Sequence, residues 1–391
     1  MNRKIVISSN TAWNIHNFRS GLIKALIRHD YDVTAIAPDD EYSSRVRDLG
    51  CRFIGLPMDN HGTHPGRDLL LLMRYLRLLH TEQPSVYLGY TVKPNVYGSI
   101  AAHLLRIPVV NNIAGLGTTF VEHSILTRIV RALYKCGLYW SDRIFFQNGE
   151  DQELFVKTGL ARAGVTDRVP GSGIDLARYL PVQQSPSADD TFRFLLVARM
   201  LRYKGIGEYI AAARIVRQRF PNTQFQLLGF VDKQNSNAIS IDEIRSWERE
   251  GLIHYLGDTD DVPRYLVNAD CVVLPSFYRE GVPRTLLEAA AMERPIITTN
   301  VIGCRDVVVN GVNGLLCEAR DANDLADKMT QMICLSSAQR QEMGKAGRRK
   351  VEFEFDENLV IEKYLEAIKE ILRPEISGRT DGKAVLAGRG K

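Results

Sequence analysis

Two rhythms of apolar and polar residues alternate along the chain. Short runs that are apolar throughout are followed by longer stretches in which apolar residues recur at helical spacing. A continuous apolar run is typical of a parallel strand buried on both faces, and strands that alternate with amphipathic helices predict a doubly wound parallel sheet. In the first half of the chain the predicted strands cover residues 4–8, 32–37, 86–89, 108–110 and 143–146.

The same alternation starts again after residues 180–191, which are rich in proline, serine, glutamine and aspartate and which we interpret as a linker. The sequence therefore predicts an α/β protein with two doubly wound, Rossmann-like domains, residues 1–180 and 192–357, that face each other across a cleft. A last amphipathic helix, 358–372, is expected to pack back on the first domain. Residues 373–391 are predicted to form a disordered tail. The strands predicted in the second half cover residues 192–198, 224–228, 254–256, 271–275, 295–298 and 314–316.

Composition and charge narrow the class of protein. The six cysteines show neither CxxC pairs nor metal-ligand spacing, so no metal site is predicted. With no signal peptide ahead of the first strand and no apolar run of about 18 residues, we expect a cytoplasmic protein. The net charge of +4 is uneven, since residues 1–185 carry 21 Lys and Arg against 16 Asp and Glu. This excess favours an anionic partner for the first half, and the absence of a dense basic run argues against nucleic acid.

Two loops of the second half carry candidate chemistry. Glu280 follows a predicted strand, and Glu288 lies about one turn into the next predicted helix, with backbone N–H groups of residues 281–284 between them at a helix N-terminus, where phosphate is favoured. Arg199 and Lys204 leave the end of another predicted strand, and they offer a planar fork and a point charge for a diphosphate. Carboxylates that flank an anion site suit the hydroxyl groups of a nucleotide sugar.

The motifs around these residues resemble those of the retaining, GT-B-fold glycosyltransferases of family 4. They are LPSFYREGVPRTLLE at 274–288, AR at 198–199, KG at 204–205 and NGVNG at 310–314, and the resemblance extends over roughly residues 1–372. It implies that Arg199 and Lys204 bind the donor diphosphate and stabilise the leaving group, an electrostatic contribution that is often the largest in catalysis. It also implies that Glu280 holds the transferred sugar and that Glu288 accepts hydrogen bonds from the ribose.

The resemblance thus implies three catalytic residues, Arg199, Lys204 and Glu280, and no cofactor or metal. The implied donor-binding residues are Arg199, Lys204, Gly257, Glu280, Gly281, Val282, Pro283, Arg284 and Glu288.

Motifs in the first half of the chain narrow the resemblance to a subgroup of the family. Residues 10–19, 92–98 and 113–120 resemble bacterial enzymes that extend glycans on polyprenyl-diphosphate carriers, among them N-acetylgalactosaminyltransferases. The resemblance implies transfer of a hexose or N-acetylhexosamine, with GalNAc the best guess, from a UDP-sugar to a polyprenyl-diphosphate-linked glycan in surface polysaccharide or glycoprotein assembly. The candidate acceptor-binding residues are Asn10, Arg19, Lys93 and Asn95.

The chain departs from the family pattern at two places in this half. Ala114 stands where many members carry a His that contacts the donor sugar, and residues 10–13 lack the paired glycines common in the family's first loop.

Two predicted helices in the first half, 66–79 and 125–135, combine apolar residues with arginine and lysine. Such a helix fits the surface of an anionic membrane, and it also fits a core helix with a solvated basic rim. We expect peripheral attachment to the inner face of the cell membrane.

Two other functions remain open on the same architecture. A UDP-N-acetylhexosamine epimerase would form product from the donor alone, and a catalytically silent subunit would bind nucleotide sugar and scaffold a glycan-assembly complex. A Rossmann oxidoreductase is disfavoured because Gly115-Leu116-Gly117 lacks the third glycine and the acidic partner of that fingerprint.

Overall fold

The structure is a computed structural model that describes residues 3–59, 64–115, 125–182, 191–232 and 235–373. These residues form two separate sheets in which every strand pair is parallel. The strands of the first sheet are β1 Lys4–Ser8, β2 Asp32–Ala37, β3 Arg52–Gly55, β4 Val86–Tyr90, β5 Val109–Ile113, β6 Arg143–Phe146 and β7 Thr166–Arg168. Those of the second are β8 Phe192–Val197, β9 Thr223–Leu228, β10 His254–Tyr255, β11 Cys271–Leu274, β12 Ile296–Thr299 and β13 Gly314–Cys317.

Both sheets have the same winding. Their strand orders are β3-β2-β1-β4-β5-β6-β7 and β10-β9-β8-β11-β12-β13, so each sheet starts at a central strand and reverses direction once. The reversal lies between β1 and β4 in the first sheet and between β8 and β11 in the second. Ligands of such sheets bind outside the carboxyl ends of the strands at this reversal.

Fourteen α-helices connect the strands within the described ranges. They are α1 Ala12–Arg28, α2 Ser43–Arg47, α3 Pro65–Glu82, α4 Ser99–Leu104, α5 Ile125–Leu138, α6 Gly149–Lys157, α7 Ile206–Arg219, α8 Ile241–Arg249, α9 Val262–Leu266, α10 Arg284–Ala291, α11 Cys304–Val307, α12 Ala322–Cys334, α13 Ser337–Glu354 and α14 Glu357–Leu372. Among the helices of the described ranges, none is long and apolar enough to cross a membrane.

The last helix, α14, belongs to the core of the first domain, although it follows the second domain in sequence. Tyr364 is fully buried, and its ring lies 4.7 Å from that of Phe145 on β6 and 5.9 Å from that of Tyr90 on β4. The chain crosses back at Asp356, which pairs with Ile174 in an isolated parallel bridge. The predicted tail, apart from its first residue, and linker residues 183–190 lie outside the described residues.

Sequence patterns missed two edge strands and one helix start. Strands β3 and β7 lie at the two edges of the first sheet and keep exposed or half-buried residues, so neither has a continuous apolar run. The sequence pattern predicts the first helix over roughly residues 18–28, whereas α1 begins at Ala12. Thr11 caps it by accepting the N–H of Asn14 at 3.0 Å, and the Asp40 carboxylate accepts the N–H of Ala12 at 2.8 Å.

Candidate active site

The two charged loops of the second domain meet at the carboxyl edge of its sheet. Lys204 and Glu280 form an ion pair in which the two side chains are only 14% and 12% exposed. Ser276 donates its hydroxyl to the same Glu280 oxygen at 2.9 Å. The loops are adjacent because β8 and β11, which precede them, pair directly. The fold thus holds a cation and a carboxylate together at the reversal of strand order.

A glycine lets the Lys204 loop approach the end of β11. Gly205 has a φ of +77°, and a Cβ added there would lie 2.0 Å from the Pro275 carbonyl oxygen. Any other residue would push the loop away from the strand. The short Lys204–Gly205 motif is therefore a steric requirement for the ion pair as well as a part of the predicted site.

Two stacked tyrosines lie beside the ion pair. The rings of Tyr203 and Tyr278 have centroids 4.5 Å apart and an interplanar angle of 24°. Burial raises the pKa of Tyr278 to about 12; Tyr203 and Glu280 also raise it, and Arg199 opposes them. The phenol is therefore neutral at physiological pH. Arg199 itself is exposed two residues beyond the carboxyl end of β8.

The backbone N–H groups of residues 281–284, at the start of α10, are not all available to a ligand as predicted. We expected every residue of this segment to offer a backbone N–H to a phosphate, but Pro283 has none and is instead the N-cap residue. The N–H of Val282 already donates to the Gln147 side-chain oxygen at 3.0 Å. Gly281 and Arg284 therefore remain as the backbone donors of this segment that the described contacts leave to a ligand.

Glu288 is buried one turn into α10. It accepts the Tyr179 hydroxyl at 2.8 Å, and the Arg284 guanidinium lies 3.5 Å from the same oxygen. Burial raises the pKa of the Glu288 carboxyl, while Arg284 and Tyr179 act in the opposite direction. Gly257, the remaining predicted donor residue, has a φ of +76° in the turn after β10, two strands away from β8.

Three of the four predicted acceptor residues are buried or ion-paired inside the first domain, which does not support the predicted contacts. Arg19 is buried with its guanidinium 4.0 Å from the centroid of the Tyr90 ring. Asn95 is buried, and its amide donates to the Asn112 carbonyl at 2.8 Å and accepts from Asn111 at 2.9 Å. These contacts leave neither side chain exposed to a diphosphate in the cleft.

Lys93 has a carboxylate partner, and Asn10 lies at the cleft edge. Lys93 Nζ is 2.7 Å from Asp68 Oδ1, and both side chains are largely buried. Asn10 is half-buried directly beyond the carboxyl end of β1. Of the four predicted acceptor residues, Asn10 therefore has the position that best fits the prediction.

Contacts between the domains surround the donor loop, and sequence reasoning missed them. Arg279 Nε lies 2.7 Å from Asp151 Oδ1 at the start of α6, and Gln147 reaches Val282 from the carboxyl end of β6. Gly115 has a φ of +110°, and a Cβ there would lie 2.5 Å from Gly281 N. The polar residues Gln147 and Asn148 directly after the apolar strand β6 were the available signal.

A second interdomain contact lies on the other side of the cleft. Asp260, in the loop after β10, accepts from the Tyr42 hydroxyl and from Arg45, whose Nη1 is 2.6 Å away. Burial lowers the pKa of the neighbouring His16, as do Arg45 and Arg178, whereas Asp260 acts to raise it. The two domains are thus joined both at the donor loop and at the loop that follows β10.

Two family models match the chain in succession. The glycosyl transferase 4-like domain matches residues 15–171, and glycosyl transferases group 1 matches residues 182–350. The chain therefore belongs to the glycosyltransferases that combine these two domains, and it is an enzyme of that class. The predicted GT-B fold of two Rossmann-like domains is confirmed.

Similar proteins extend this result. The N,N'-diacetylbacillosaminyl-diphospho-undecaprenol alpha-1,3-N-acetylgalactosaminyltransferase of Campylobacter jejuni is 26% identical over 385 residues, which cover 95% of this chain and 99% of that protein. The UDP-Gal:alpha-D-GlcNAc-diphosphoundecaprenol alpha-1,3-galactosyltransferase of Escherichia coli is 23% identical over 277 residues, covering 68% and 70%. The structure of Anabaena HepE in complex with UDP matches with a TM-score of 0.75 at 18% identity, covering 94% and 100%, and it shows the shared fold.

Proposed function

We propose that this glycosyltransferase moves a hexose or N-acetylhexosamine, with GalNAc the best candidate, from a UDP-sugar to a polyprenyl-diphosphate-linked glycan. The observation that carries the donor side is the Lys204–Glu280 ion pair at the strand-order reversal of the second sheet. The acceptor class rests on the similarity to the Campylobacter jejuni and Escherichia coli enzymes, whose names specify undecaprenyl-diphosphate acceptors.

In this proposal the cations of the second domain bind the donor diphosphate. Lys204 is held near the phosphate position by Glu280, and exposed Arg199 adds a planar fork. When the donor enters, Lys204 gives up part of its contact with Glu280 and contacts the phosphate instead. Glu280 then accepts hydrogen bonds from hydroxyl groups of the transferred sugar. The cations then stabilise the charge that develops on the leaving diphosphate.

The remaining donor contacts are proposed to come from α10 and its neighbours. Gly281 and Arg284 supply backbone N–H groups to the diphosphate or sugar, while Val282 and Pro283 shape the turn that presents them. Glu288 accepts hydrogen bonds from the ribose after exchanging its contact with Tyr179. The turn at Gly257 lies beside the nucleobase.

The reaction is proposed to retain the anomeric configuration by attack on the same face of the sugar. The bond from the anomeric carbon to the diphosphate oxygen breaks, the acceptor hydroxyl oxygen bonds to that carbon, and its proton passes to the leaving diphosphate. Arg199, Lys204 and the start of α10 supply the positive potential, so we propose that transfer proceeds without a divalent metal.

The acceptor is proposed to bind in the first domain, with Asn10 at the cleft edge. Because the acceptor carries a polyprenyl chain, we propose that the enzyme works attached peripherally to the inner face of the cell membrane.

Nucleotide release from a panel of UDP- and GDP-sugars tests the proposal, with and without a polyprenyl-diphosphate-glycan acceptor and in the presence of chelator. We expect release from one UDP-sugar that depends on the acceptor. Conversion of the donor alone would indicate an epimerase. Donor binding without release would indicate an acceptor outside the lipid-linked class or a silent scaffold, an alternative that Ala114 at the position of the family His leaves open.

A further inference from the structure

Two groups of exposed apolar side chains lie on the first domain. One lies near the carboxyl ends of its strands and the other near their amino ends. The rim patch consists of Leu69, Leu70, Met73 and Val92, which are between 50% and 61% exposed. The base patch consists of Leu104, Tyr139 and Trp140, of which Leu104 and Trp140 are 66% and 67% exposed. Contiguous exposed apolar residues mark interaction surfaces, so the position of each patch relative to the cleft decides what it can bind.

The rim patch lies at the edge where the cleft opens. Val92 comes two residues after the carboxyl end of β4, at the strand-order reversal of the first sheet. The next residue, Lys93, is joined to Asp68 by a largely buried ion pair of 2.7 Å. That pair ties the first turn of α3, directly ahead of Leu69 and Leu70, to the loop at the carboxyl end of β4.

The base patch lies at the opposite edge. Leu104 precedes the amino end of β5, and Trp140 precedes the amino end of β6. Asp142 fixes this arrangement, because its carboxylate accepts the N–H of Val109, the first residue of β5, at 2.8 Å. A flat surface that contacts the base patch therefore faces away from the cleft.

The exposed charges of α3 match an anionic surface. Within Pro65–Glu82, all of which the structure describes, the two acidic residues are buried and ion-paired: Asp68 with Lys93, and Glu82 with Lys4 and Arg52. Arg67 and Arg77 are exposed on the same helix, and Arg67 has Asp59 as a partner at 2.9 Å. The helix therefore exposes apolar residues and cations to solvent, whereas its two carboxylates are buried in ion pairs.

We propose that the rim patch is the surface by which this enzyme docks on an anionic lipid membrane. Leucine and methionine side chains enter the headgroup boundary while the exposed Arg77 contacts lipid phosphates. The cleft mouth, next to Val92, then opens at the membrane surface, where the carrier diphosphate of the proposed acceptor lies. This inference rests on the proposed function, and it excludes the base patch as the membrane contact.

Flotation with vesicles of phosphatidylglycerol and phosphatidylcholine tests the inference with the full chain. We expect the paired substitution Leu69→Glu/Leu70→Glu to weaken vesicle partitioning by roughly tenfold or more, because it removes apolar area and adds negative charge. Arg77→Gln is expected to weaken vesicle partitioning about fivefold, and added salt is expected to weaken the partitioning of the wild-type protein. The matched control, Leu104→Glu/Trp140→Glu, changes equally exposed residues at the base patch and leaves partitioning unchanged.

Donor binding and circular dichroism confirm that each variant is folded. Flotation uses neither donor nor acceptor, so its result is separate from any failure of the transfer reaction. Equal partitioning of the rim variant and the wild type, or loss only in the base variant, would overturn the proposal. So would a wild-type protein that fails to float, or one that forms a dimer which the rim substitutions abolish in sedimentation velocity.

Discussion

The two domains place charged and polar residues at the same edge of the same kind of sheet, and the outcomes differ. In the second domain, Lys204 and Glu280 meet each other at the cleft, and Arg199 stays exposed beside them. In the first domain, Arg19 and Asn95 turn into the interior, where Arg19 packs on the Tyr90 ring and Asn95 is hydrogen-bonded. Position near the cleft edge therefore does not by itself make a polar side chain available to a ligand.

The largest expected effect concerns the second domain. Lys204→Met should lower the rate of transfer by about 10²–10³-fold, because it removes a charge proposed to stabilise the leaving diphosphate. Arg202→Met is the matched control, since Arg202 lies on the same turn but pairs with Glu243 on the surface. Steady-state kinetics of nucleotide release measure both variants. A Lys204→Met enzyme as active as the control would place the diphosphate elsewhere.

The next effect concerns the first domain and should appear in stability rather than donor binding. Asn95→Ala should lower the free energy of unfolding by about 1–3 kcal/mol, because it removes buried hydrogen bonds to Asn111 and Asn112. Asn237→Ala, at an exposed position, should change it by less than about 0.5 kcal/mol. Denaturant titration gives the stability and calorimetry the donor affinity. A raised KM for the acceptor in an Asn95 variant of unchanged stability would support the predicted acceptor contact of Asn95.

A smaller effect is expected in the pH dependence of donor binding. Burial raises the pKa of Glu288, so lowering the pH protonates this carboxyl earlier than an exposed one and removes an acceptor for the ribose. Donor affinity should fall by roughly tenfold as the pH drops through this raised pKa, in line with the loss of a hydrogen bond to a charged group. The Glu288→Gln variant should bind the donor weakly, and its donor affinity should not change with pH over this range. An unchanged slope in that variant would assign the titration to another group.

The smallest expected effect lies where the two domains meet. Gln147→Ala removes one hydrogen bond to the Val282 N–H and should raise KM for the donor by about fivefold with little change in kcat. Gln152→Ala is the control, because Gln152 contacts Thr166 within the first domain. A fall in KM would instead show that Gln147 blocks this N–H against the donor.

Much of the fold follows from local pattern, and the misses lie where the local pattern carries little information. Buried strands such as β1, β2 and β6 were predicted at their observed bounds, because their neighbours on both faces require continuous apolar runs. Edge strands β3 and β7 lack that requirement. Likewise, the strand-end loops that carry Lys204 and Glu280 were found because their motifs are local, whereas the contact of Gln147 with Val282 joins residues far apart in the chain.

The sequence by itself determined two doubly wound domains, the family, and which loops carry the charges of the candidate donor site. The spacing of apolar residues and the short motifs are properties of neighbouring residues, so they can be recognised without the structure. Only the tertiary structure decided that Lys93 is paired with Asp68, that Arg19 lies under Tyr90, and which apolar patch shares an edge with the cleft. These depend on distances between segments remote in sequence. Burial and partner geometry, which set whether a charge is free to bind, arise only when those segments pack.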